Sequence, residues 1–356
     1  MTHTHRSPTI KDVAARAGCS VTTVSHVLNE VPGTRVKENT RERVRTAARD
    51  LGYSPNLLAR GVRQNRTNTL GFVSDAVGTT PYAVEIILGA QHAATEAGDL
   101  LMLMNAGLNA DLTTREVKAL LDRRVDGVLY AADYHRVVTV PPNMREIPAV
   151  LLNCRTADRR VTSAVPDEVG GAVAAVQELI ANGHRRIGYL TEGSDIPATS
   201  LRMDGYRQAL SKAHIRFRPE LVARQPSNTP GGYRAASDLL DRTDRPTALF
   251  CFNDRMAMGA YHAAAKRGLE IPRDLSVVGF DNQENIADGL MPPLTTVALP
   301  HYDMGFWGVT TLLDIINTSD GLSTSQQAVL PCPLVRRGSV GPPPGLDDER
   351  TNGRRS

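Results

Sequence analysis

A short stretch near the start of the chain carries side chains suited to hydrogen-bonding the edges of bases in DNA. Val21, Thr22, Ser25 and His26 fall on one face of a predicted helix. These side chains are short or flat, so they allow close approach to a base edge, where hydroxyl and imidazole groups can hydrogen-bond. The opposite face of the same helix is apolar. The spacing therefore predicts an amphipathic helix with one face available to nucleic acid.

The elements that position these side chains are two short helices joined by a turn. Thr9 can cap the first helix and Ser20 the second, and Gly18 stands where a helix-ending residue with positive φ is needed. This layout is typical of a helix-turn-helix, which places its second helix in the major groove. A third helix is predicted at about 38–51, and Lys37 occupies the position where a capping serine is expected.

The distribution of charge also favours DNA binding. Residues 1–66 contain 12 Lys and Arg against 5 Asp and Glu, a net charge of +7, whereas the rest of the chain carries −4. The alternative is a surface helical hairpin that touches no nucleic acid. Positive charge confined to one small segment of a nearly neutral chain argues against that alternative, because it is what attraction to phosphates requires.

A second set of polar side chains follows the predicted strands of the larger part of the chain. Arg202 opens a helix after a loop, and the residues that end strands are Asp75, Asn153, Asn253, Asp254 and Asp281. Ligands of parallel sheets bind at the carboxyl ends of the strands, so these groups are candidates for one site. Carboxylates, amides and an arginine suit a neutral, hydroxyl-rich molecule. Capping of the following helix is an equally good explanation for any single one of them.

Alternating strands and helices from about Thr69 position this second set. Strands are predicted over residues 69–75, 99–106, 126–132, 149–154, 185–192, 247–254 and 275–281, and helices over 84–97, 113–123, 171–182, 200–213, 231–240 and 255–267. Such alternation predicts parallel sheets. The pattern runs twice, and the two runs meet near Val165. We therefore predict two similar α/β lobes with the ligand in the cleft between them.

Other classes of function are disfavoured. The sequence has no dinucleotide-binding, P-loop, zinc-protease or serine-hydrolase motif, and we predict no catalytic residues, metal or cofactor. His184 lacks an evident nucleophile and is predicted to be structural, and the four widely separated cysteines are predicted to be small buried hydrophobes. The start lacks a signal-peptide core, and no apolar run approaches the ~20 residues of a membrane span. We expect a cytoplasmic protein with no membrane partner.

The chain resembles the LacI/GalR family of bacterial transcriptional regulators from about Thr9 to Ser339. The resemblance rests on TIKDVAARAGCSVTTVSHVLN, TRERVRTAARDLGYSPN, NGHRRIGYL, RMDGYRQAL, PTALFCFND, LSVVGFD and PPLTTV, which occur in that order. It implies an all-α helix-turn-helix head, a hinge helix and a two-lobed α/β effector domain, similar to periplasmic binding proteins and built on parallel sheets, that dimerises.

The resemblance also implies site residues in both parts of the chain. Base contacts in the family map onto Val21, Thr22 and His26, and we assign further DNA contacts to Ser25, Asn29, Leu57, Ala59, Arg60 and Val62. Effector contacts in similar proteins map onto Tyr82, Asp167, Arg202, Asn253 and Asp281.

The chain departs from the family pattern at several of these places. Many members carry Arg where His26 stands, and a hinge leucine that wedges into the minor groove corresponds to Val62, which follows a glycine. In the effector domain, Glu168 and Asn282 replace the usual Asn and Asp, and Ser227 stands where sugar binders often have an aromatic residue. The operator base read by His26 and the identity of the ligand are therefore expected to be particular to this chain.

The resulting prediction is a homodimeric transcriptional regulator, a repressor that a small cytoplasmic ligand releases from a pseudo-palindromic operator. A sugar or glycoside is the leading ligand, and the alternative is a co-repressor-dependent regulator that binds a purine or nucleoside. The predicted parts are a head at 1–53, a hinge at 54–66, a two-lobed domain at 67–338 and a disordered tail at 339–356. Lobe 1 is predicted to take about 67–164 and 298–325, and lobe 2 about 165–297 and 326–338.

Overall fold

The structure is a computed structural model that describes residues 8–29, 31, 33–53, 66–75, 84–107, 109–318 and 325–344. The chain divides into two compact units, residues 1–67 and residues 68–356. Predicted contact residues Leu57, Ala59, Arg60 and Val62 of the hinge, and Tyr82 of the effector site, lie outside the described residues. No helix within the described ranges combines the length and the apolar character needed to cross a bilayer.

The first unit contains three helices, α1 (Ile10–Ala17), α2 (Val21–Leu28) and α3 (Glu38–Leu51). Their apolar faces form one small core, whose buried members are Val13, Ala14, Ala17, Val24, Val27, Val44, Ala47 and Ala48. The helical spacing of these residues in the sequence is what brings them together, and all three predicted helices are confirmed.

Local capping fixes where α1 and α2 begin and where α1 ends. The carboxylate of Asp12 accepts hydrogen bonds from the backbone nitrogen and the hydroxyl of Thr9, both at 2.7 Å. The hydroxyl of Ser20 accepts from the backbone nitrogen of Thr23 at 3.1 Å. Gly18 adopts φ 59°, a left-handed conformation that a residue with a side chain adopts only at a cost. These residues set the angle of the turn as the sequence predicts.

An arginine on α3 completes the turn, which the sequence analysis did not predict. Nε of Arg43 donates to the carbonyl oxygen of Ala17 at 3.1 Å, and its Nη2 donates to that of Gly18 at 3.2 Å. These carbonyls lie at the end of α1, where helical acceptors lack intrahelical donors. Lys37 makes no side-chain cap at the start of α3, as expected.

The second unit holds two six-stranded sheets. The first has the order β11-β5-β4-β3-β1-β2, all parallel, from β1 (Thr69–Ser74), β2 (Leu100–Asn105), β3 (Gly127–Val137), β4 (Ala149–Arg155), β5 (Thr162–Pro166) and β11 (Gln327–Leu330). The second has the order β12-β10-β9-β8-β6-β7, from β6 (Ile187–Glu192), β7 (Val222–Gln225), β8 (Ala248–Cys251), β9 (Ser276–Asp281), β10 (Thr295–Ala298) and β12 (Leu334–Val335). Only the pairing of β10 with β12 is antiparallel among the described strands.

Helices cover both faces of each sheet. They are α4 (Val84–Ala97), α5 (Ala110–Asp122), α6 (Glu168–Ala181), α7 (Pro197–Lys212), α8 (Thr229–Leu240), α9 (Asp254–Lys266), the single turn α10 (Glu284–Ala287) and α11 (His301–Asn317), with 3-10 helices at Pro142–Glu146 and Pro219–Leu221. Covering both faces explains the nearly continuous apolar runs in the central strands. Helices α4 and α11 approach so closely that a Cβ on Gly89 would lie 2.0 Å from the carbonyl oxygen of Tyr302.

Two predicted boundaries are wrong. Residues 326–338 were assigned to lobe 2, but β11 pairs with β5 of the first sheet, with Ala328 beside Ala164. The predicted disorder of the tail also fails at its start, because Ser339 is fully buried. Its hydroxyl donates to the carbonyl oxygen of Val277 at 2.6 Å and accepts from the backbone nitrogen of Thr295 at 2.8 Å. The chain therefore passes between the lobes after β5, after β10 and between β11 and β12.

Candidate DNA-binding surface and ligand cavity

One face of α2 is open to solvent, and it is the face that the sequence predicts. Val21 is 40% exposed and Thr22 is exposed, while Ser25, His26 and Asn29 are half-buried. The amide nitrogen of Asn29 donates to the backbone oxygen of Ser25 at 2.7 Å, which holds the end of the helix. The geometry leaves the outer residues available for base edges, and their contact with DNA stays a prediction.

A cavity of about 240 Å³ lies where the carboxyl ends of the two sheets face each other. The first lobe supplies Asp133, Tyr134 and His135 from β3, and Asn153 from β4. The second lobe supplies residues from strand ends, loops and helices, among them Glu192, Arg202, Ser227, Asn253, Arg255 and Asp281. The cavity therefore lies at the cleft position expected for a two-lobed parallel α/β domain.

Arg202 is the centre of the cavity wall. Its Nε donates to Oε2 of Glu168 at 2.6 Å, its Nη1 donates to the carbonyl oxygen of Phe252, and Nη1 lies 3.6 Å from Oδ1 of Asp281. The guanidinium carbon stands 3.7 Å from the ring centroid of Phe280 and 4.5 Å from that of Phe252. Burial acts to lower the pKa of Arg202, but the charges of Glu168 and Asp281 outweigh it and raise that pKa.

Asp281 ends β9 in a left-handed backbone conformation, with φ 105°. Its Oδ2 accepts a hydrogen bond from Nε2 of Gln283 at 3.0 Å. Burial raises the pKa of Asp281 to about 6, although the nearby charge of Arg202 acts in the opposite direction. Asp281 is therefore an acceptor group whose ionisation lies close to physiological pH.

Two further carboxylates line the cavity, and the sequence analysis predicted neither. Oδ1 of Asp133 is buried without a hydrogen-bond partner in the described part of the chain, and burial raises the pKa of this carboxyl. Glu192 accepts from the backbone nitrogens of Ser194 at 3.0 Å and Ser227 at 2.9 Å. Burial acts to raise the pKa of Glu192, but hydrogen bonds from Ser227 and Ser194 lower it. Glu192 thus ties two cavity loops together.

His135 connects the two lobes at the base of the cavity. Its Nδ1, on the first lobe, lies 3.5 Å from Oε1 of Glu168 on the second, and both side chains are almost fully buried. The sequence pattern does not locate His135, because the third strand is predicted to end at residue 132, whereas β3 continues to Val137.

Several predicted site residues do line the cavity. Arg202, Asn253 and Asp281 are among them, and so is the strand-end residue Asn153. Asn253 also caps α9, since its Oδ1 accepts from the backbone nitrogen of Met256 at 2.9 Å. Asn253 can therefore both cap the helix and contact a ligand.

Three other candidates have structural roles instead. Asp167 is not among the residues that line the cavity, and its Oδ1 accepts from the backbone nitrogen of Gly170 at 2.8 Å and so caps α6. The carboxylate of Asp75 accepts hydrogen bonds from the backbone nitrogen of Asp133 and from the guanidinium of Arg136, all within the first lobe. Asp254 is fully buried, where burial raises its pKa and where its carboxylate accepts from Thr296 and Gln283 at 2.6 and 2.7 Å.

His184 is structural, as predicted. It is fully buried, with its Nδ1 2.9 Å from the hydroxyl of Thr247 and its Nε2 2.9 Å from both the hydroxyl of Ser276 and the carbonyl oxygen of Gly341. Burial lowers the pKa of this imidazole. Cys154, Cys251 and Cys332 are buried as expected, whereas Cys19 is half-buried.

Comparison with protein families gives two matches along the chain. Residues 9–56 match the model for bacterial regulatory proteins of the lacI family, and residues 176–340 match that for a periplasmic binding protein-like domain. The HTH-type transcriptional repressor PurR of Proteus mirabilis is 36% identical over 348 residues, which is 96% of this chain and 99% of that protein.

Solved structures resemble both parts of the chain. The Lac repressor dimer bound to operator and the anti-inducer ONPF matches with a TM-score of 0.77 and 26% identity, over 94% of this chain and 100% of that one. The transcriptional regulator CelR in complex with cellobiose matches with a TM-score of 0.66 and 32% identity, over 93% of this chain and 99% of that one.

Proposed function

This chain belongs to the lacI family of bacterial regulatory proteins and is a DNA-binding transcriptional repressor; on that basis we propose that a small polyhydroxylated ligand, held in the cavity between the lobes, releases it from its operator. The observation that carries this proposal is the cavity itself, which is lined by carboxylates from both lobes and by the buried guanidinium of Arg202, itself paired with Glu168. The DNA-binding part and the ligand-binding part of this proposal each rest on particular side chains.

The DNA-binding arm rests on the exposed face of α2 and on the charge of the head. Val21, Thr22 and His26 contact base edges, while Lys and Arg side chains contact phosphates and fix the orientation on the duplex. Residues 1–66 carry a net charge of +7, which makes operator affinity fall steeply with salt concentration.

The ligand class follows from the acceptors and donors that converge on the cavity. Asp281 and Asp133 offer carboxylate oxygens, and Nη2 of Arg202 makes no hydrogen bond within the described residues. Hydroxyl groups can both donate to the carboxylates and accept from the guanidinium, so neighbouring hydroxyls on a sugar ring match this arrangement. Tyr134 supplies an aromatic face from the first lobe. This face takes the place of the aromatic residue that sugar binders often have at the position of Ser227.

The size of the cavity favours a ligand of a single ring. Its volume of about 240 Å³ lies just below the roughly 300–1,000 Å³ typical of sites for larger ligands. We therefore favour a monosaccharide or a small glycoside over an extended oligosaccharide.

A homodimer is supported by an apolar surface on the first lobe. Strand β2 is an edge strand, and two of its leucines, Leu100 and Leu103, are 62% and 44% exposed. Val84 and Leu88 on the neighbouring helix α4 are 47% and 44% exposed. An exposed apolar edge strand beside an apolar helix face is a surface against which a second copy of the chain can pack. A symmetric dimer would present two heads to a pseudo-palindromic operator.

Ligand and operator are coupled through the movement of the lobes. A ligand that contacts Asp133 on one lobe and Arg202 on the other stabilises one relative arrangement of the lobes over others. Lowering operator affinity tenfold requires that the ligand favour the released arrangement by about 1.4 kcal/mol. A few additional hydrogen bonds in the ligand-bound arrangement are sufficient for this difference.

A thermal-shift screen tests the ligand class. The full-length protein would be incubated with monosaccharides, glycosides, purines and nucleosides, with and without operator DNA selected from a random library. We expect a monosaccharide or glycoside to raise the melting temperature, and to raise it less when operator is present. Stabilisation by a purine or nucleoside alone, increased by operator, would instead support the co-repressor alternative.

A further inference from the structure

The first lobe presents a buried acceptor to the cavity between the lobes. The side chain of Asn153 lines this cavity and is 1% exposed. Its Nδ2 donates to the carbonyl oxygen of Ala132 at 3.2 Å, while its Oδ1 makes no hydrogen bond within the described residues. A buried acceptor without a partner is costly, so a ligand that donates a hydrogen bond to this oxygen is favoured.

His135 adds a second buried acceptor from the same lobe. Its Nδ1 faces Oε1 of Glu168 at 3.5 Å, so in the neutral imidazole the proton lies on Nδ1 and Nε2 keeps its lone pair. Nε2 is buried and has no hydrogen-bond partner among the residues that the structure describes. Like Asn153, His135 lines the cavity, and it therefore also calls for a donor on the ligand.

A bulge in the pairing of β3 with β4 places these acceptors beside a carboxylate. Between two regularly paired stretches, residues 132–135 of β3 stand opposite a single residue of β4, Asn153, which has φ 57°. Such a bulge redirects the side chains of the strand that carries the extra residues. Here it brings Asp133 and His135 to the cavity at the same point of the sheet as Asn153.

The carboxylate of Asp133 is only partly compensated by its surroundings. Burial raises its pKa, although the backbone nitrogens of Asp133 and Tyr134 and the charge of Arg255 act in the opposite direction. Arg136, further along β3, is paired with Asp75. Because a carboxylate has about four lone pairs, the backbone contacts leave sites open to a ligand. A cation bound beside Asp133 would stabilise its charged form.

The lining of the cavity as a whole is negatively charged. It includes four carboxylates and two guanidinium groups, for a formal net charge of −2 with the imidazole counted as neutral. Both guanidinium groups are shared between carboxylates. Arg202 pairs with Glu168 and with Asp281, and the charge of Arg255 acts on both Asp281 and Asp133. The excess of negative charge favours a ligand that carries a positive charge.

We propose that the ligand of this cavity is an amino sugar, a single ring whose protonated primary amine binds to the first lobe. This inference rests on the function proposed above and defines its ligand class more closely. An ammonium group has three N–H donors, and the first lobe offers acceptors on Asp133, His135 and Asn153. The ring hydroxyls then remain for the second lobe, where they accept from the guanidinium of Arg202.

Isothermal titration of the full-length protein with matched sugars tests this inference. The probes are glucosamine, galactosamine and mannosamine, each compared with its parent hexose and its N-acetyl derivative, which keep the ring and lack the charge. Hydrogen bonds that involve charged groups are the stronger ones, so we expect one of the amines to bind at least about tenfold more tightly than both of its neutral relatives.

Asp133→Asn keeps the shape of the side chain and removes its charge. It should weaken binding of the amino sugar about tenfold and change that of the parent hexose less than about twofold. Asp122→Asn is the matched control, because it removes the same charge from an exposed position on α5 of the same lobe. Both affinities should be unaltered in this control.

Equal affinity for an amine and its parent hexose would overturn the inference, and so would an unaltered preference for the amine in Asp133→Asn. Binding of neutral hexoses or glycosides without binding of the amines would also overturn it, while leaving the function proposed above intact. Binding of purines or nucleosides alone would contradict both the inference and the sugar ligand on which it rests.

Discussion

Arg202 and Glu168 form a buried ion pair that also faces the ligand cavity. Both side chains are more than 95% buried, and Nε of Arg202 lies 2.6 Å from Oε2 of Glu168. Removing one member of such a pair leaves the other charge buried without compensation. Arg202 therefore contributes to the stability of the unit as well as to the binding of a ligand.

Arg202→Met should destabilise the effector unit by about 3–5 kcal/mol, because Glu168 then keeps a buried charge without its partner. Chemical denaturation of the full-length protein measures this change. The double variant Arg202→Met, Glu168→Leu is the control and should recover much of the lost stability. A double variant no more stable than the single one would argue against the ion pair as the cause.

The ionisation of Asp281 should make ligand affinity depend on pH. Burial raises the pKa of Asp281 to about 6, so the group is a carboxylate above pH 6 and a neutral acid below it. Hydroxyl groups donate more strongly to the carboxylate. Affinity for a polyhydroxyl ligand should therefore rise between pH 5 and pH 7 and level off above, as measured by titration calorimetry. Asp281→Asn should remove this step, and a step that persists in the variant would assign it to another group.

His26 should read one base of the operator. Its side chain lies on the half-exposed face of α2, and an imidazole reaches a base edge with one hydrogen bond rather than the two of an arginine. His26→Ala should relax discrimination at that base pair by ~1–3 kcal/mol in a competition assay with single-base operator variants. Thr46→Ala, on α3, serves as the control. Unaltered discrimination in His26→Ala would remove this residue from the base contacts.

The sequence predicts some of the cavity residues and misses others, and the difference has a physical reason. Asp281 ends a strand whose limits were predicted to within one residue, and Asn253 lies two residues after the end of β8, so the rule that ligands bind at the carboxyl ends of strands located both. Asp133 and His135 lie beyond the predicted end of β3, in an extension that only pairing with β4 reveals. At Asp167, helix capping and ligand binding require the same residue type, so the sequence could not show that this residue caps α6 and lies outside the cavity lining.

At the scale of elements, the last described residues act as a strap on the second sheet. The backbone nitrogen of Val277 donates to the carbonyl oxygen of Ser339 at 2.9 Å, and that of Gly341 donates to the hydroxyl of Ser276 at 3.0 Å. The high content of Pro and Gly predicts disorder in this segment. Composition alone cannot show that the buried polar groups of β9 need hydrogen-bond partners, which this segment supplies.

A chain that ends at Arg337 should be less stable than the whole protein by roughly 2–4 kcal/mol, because the buried groups that bind Ser339 lose their hydrogen bonds. A chain that ends at Pro344 keeps these bonds and should match the whole protein. Thermal unfolding of the two truncated proteins side by side makes the comparison. Equal stability of both would show that the strap contributes nothing.

The long elements were predicted well, and most of the short ones were not. The predicted helix over residues 84–97 has the observed limits of α4, and the seven predicted strands all occur. The strands that were missed, β5, β7, β10, β11 and β12, have at most five residues. In so few residues, hydrophobic periodicity cannot distinguish a strand from a loop. Whether such a segment forms a strand depends on its pairing with strands that are distant in the sequence. That is also why β11 was assigned to the wrong lobe.

At the scale of the whole molecule, the chain combines a basic reading head with a two-lobed sensor. Residues 1–66, the head together with the hinge, carry a net charge of +7 and the remainder carries −4, so attraction to DNA comes from a small part of the sequence. The two lobes of the sensor are joined by three crossings of the chain. They also meet where Nδ1 of His135 lies 3.5 Å from Oε1 of Glu168. A ligand that changes how the lobes meet is therefore able to change the arrangement of a dimer built on them.

Operator affinity measured with and without ligand is the most direct test of this account. Fluorescence anisotropy would follow binding of the full-length protein to labelled operator, with and without a saturating amount of the sugar or glycoside that raises its melting temperature. We predict that the ligand lowers operator affinity at least about tenfold in the unaltered protein and leaves it unchanged in Asp281→Asn. Equal or higher operator affinity in the presence of bound ligand would contradict the account.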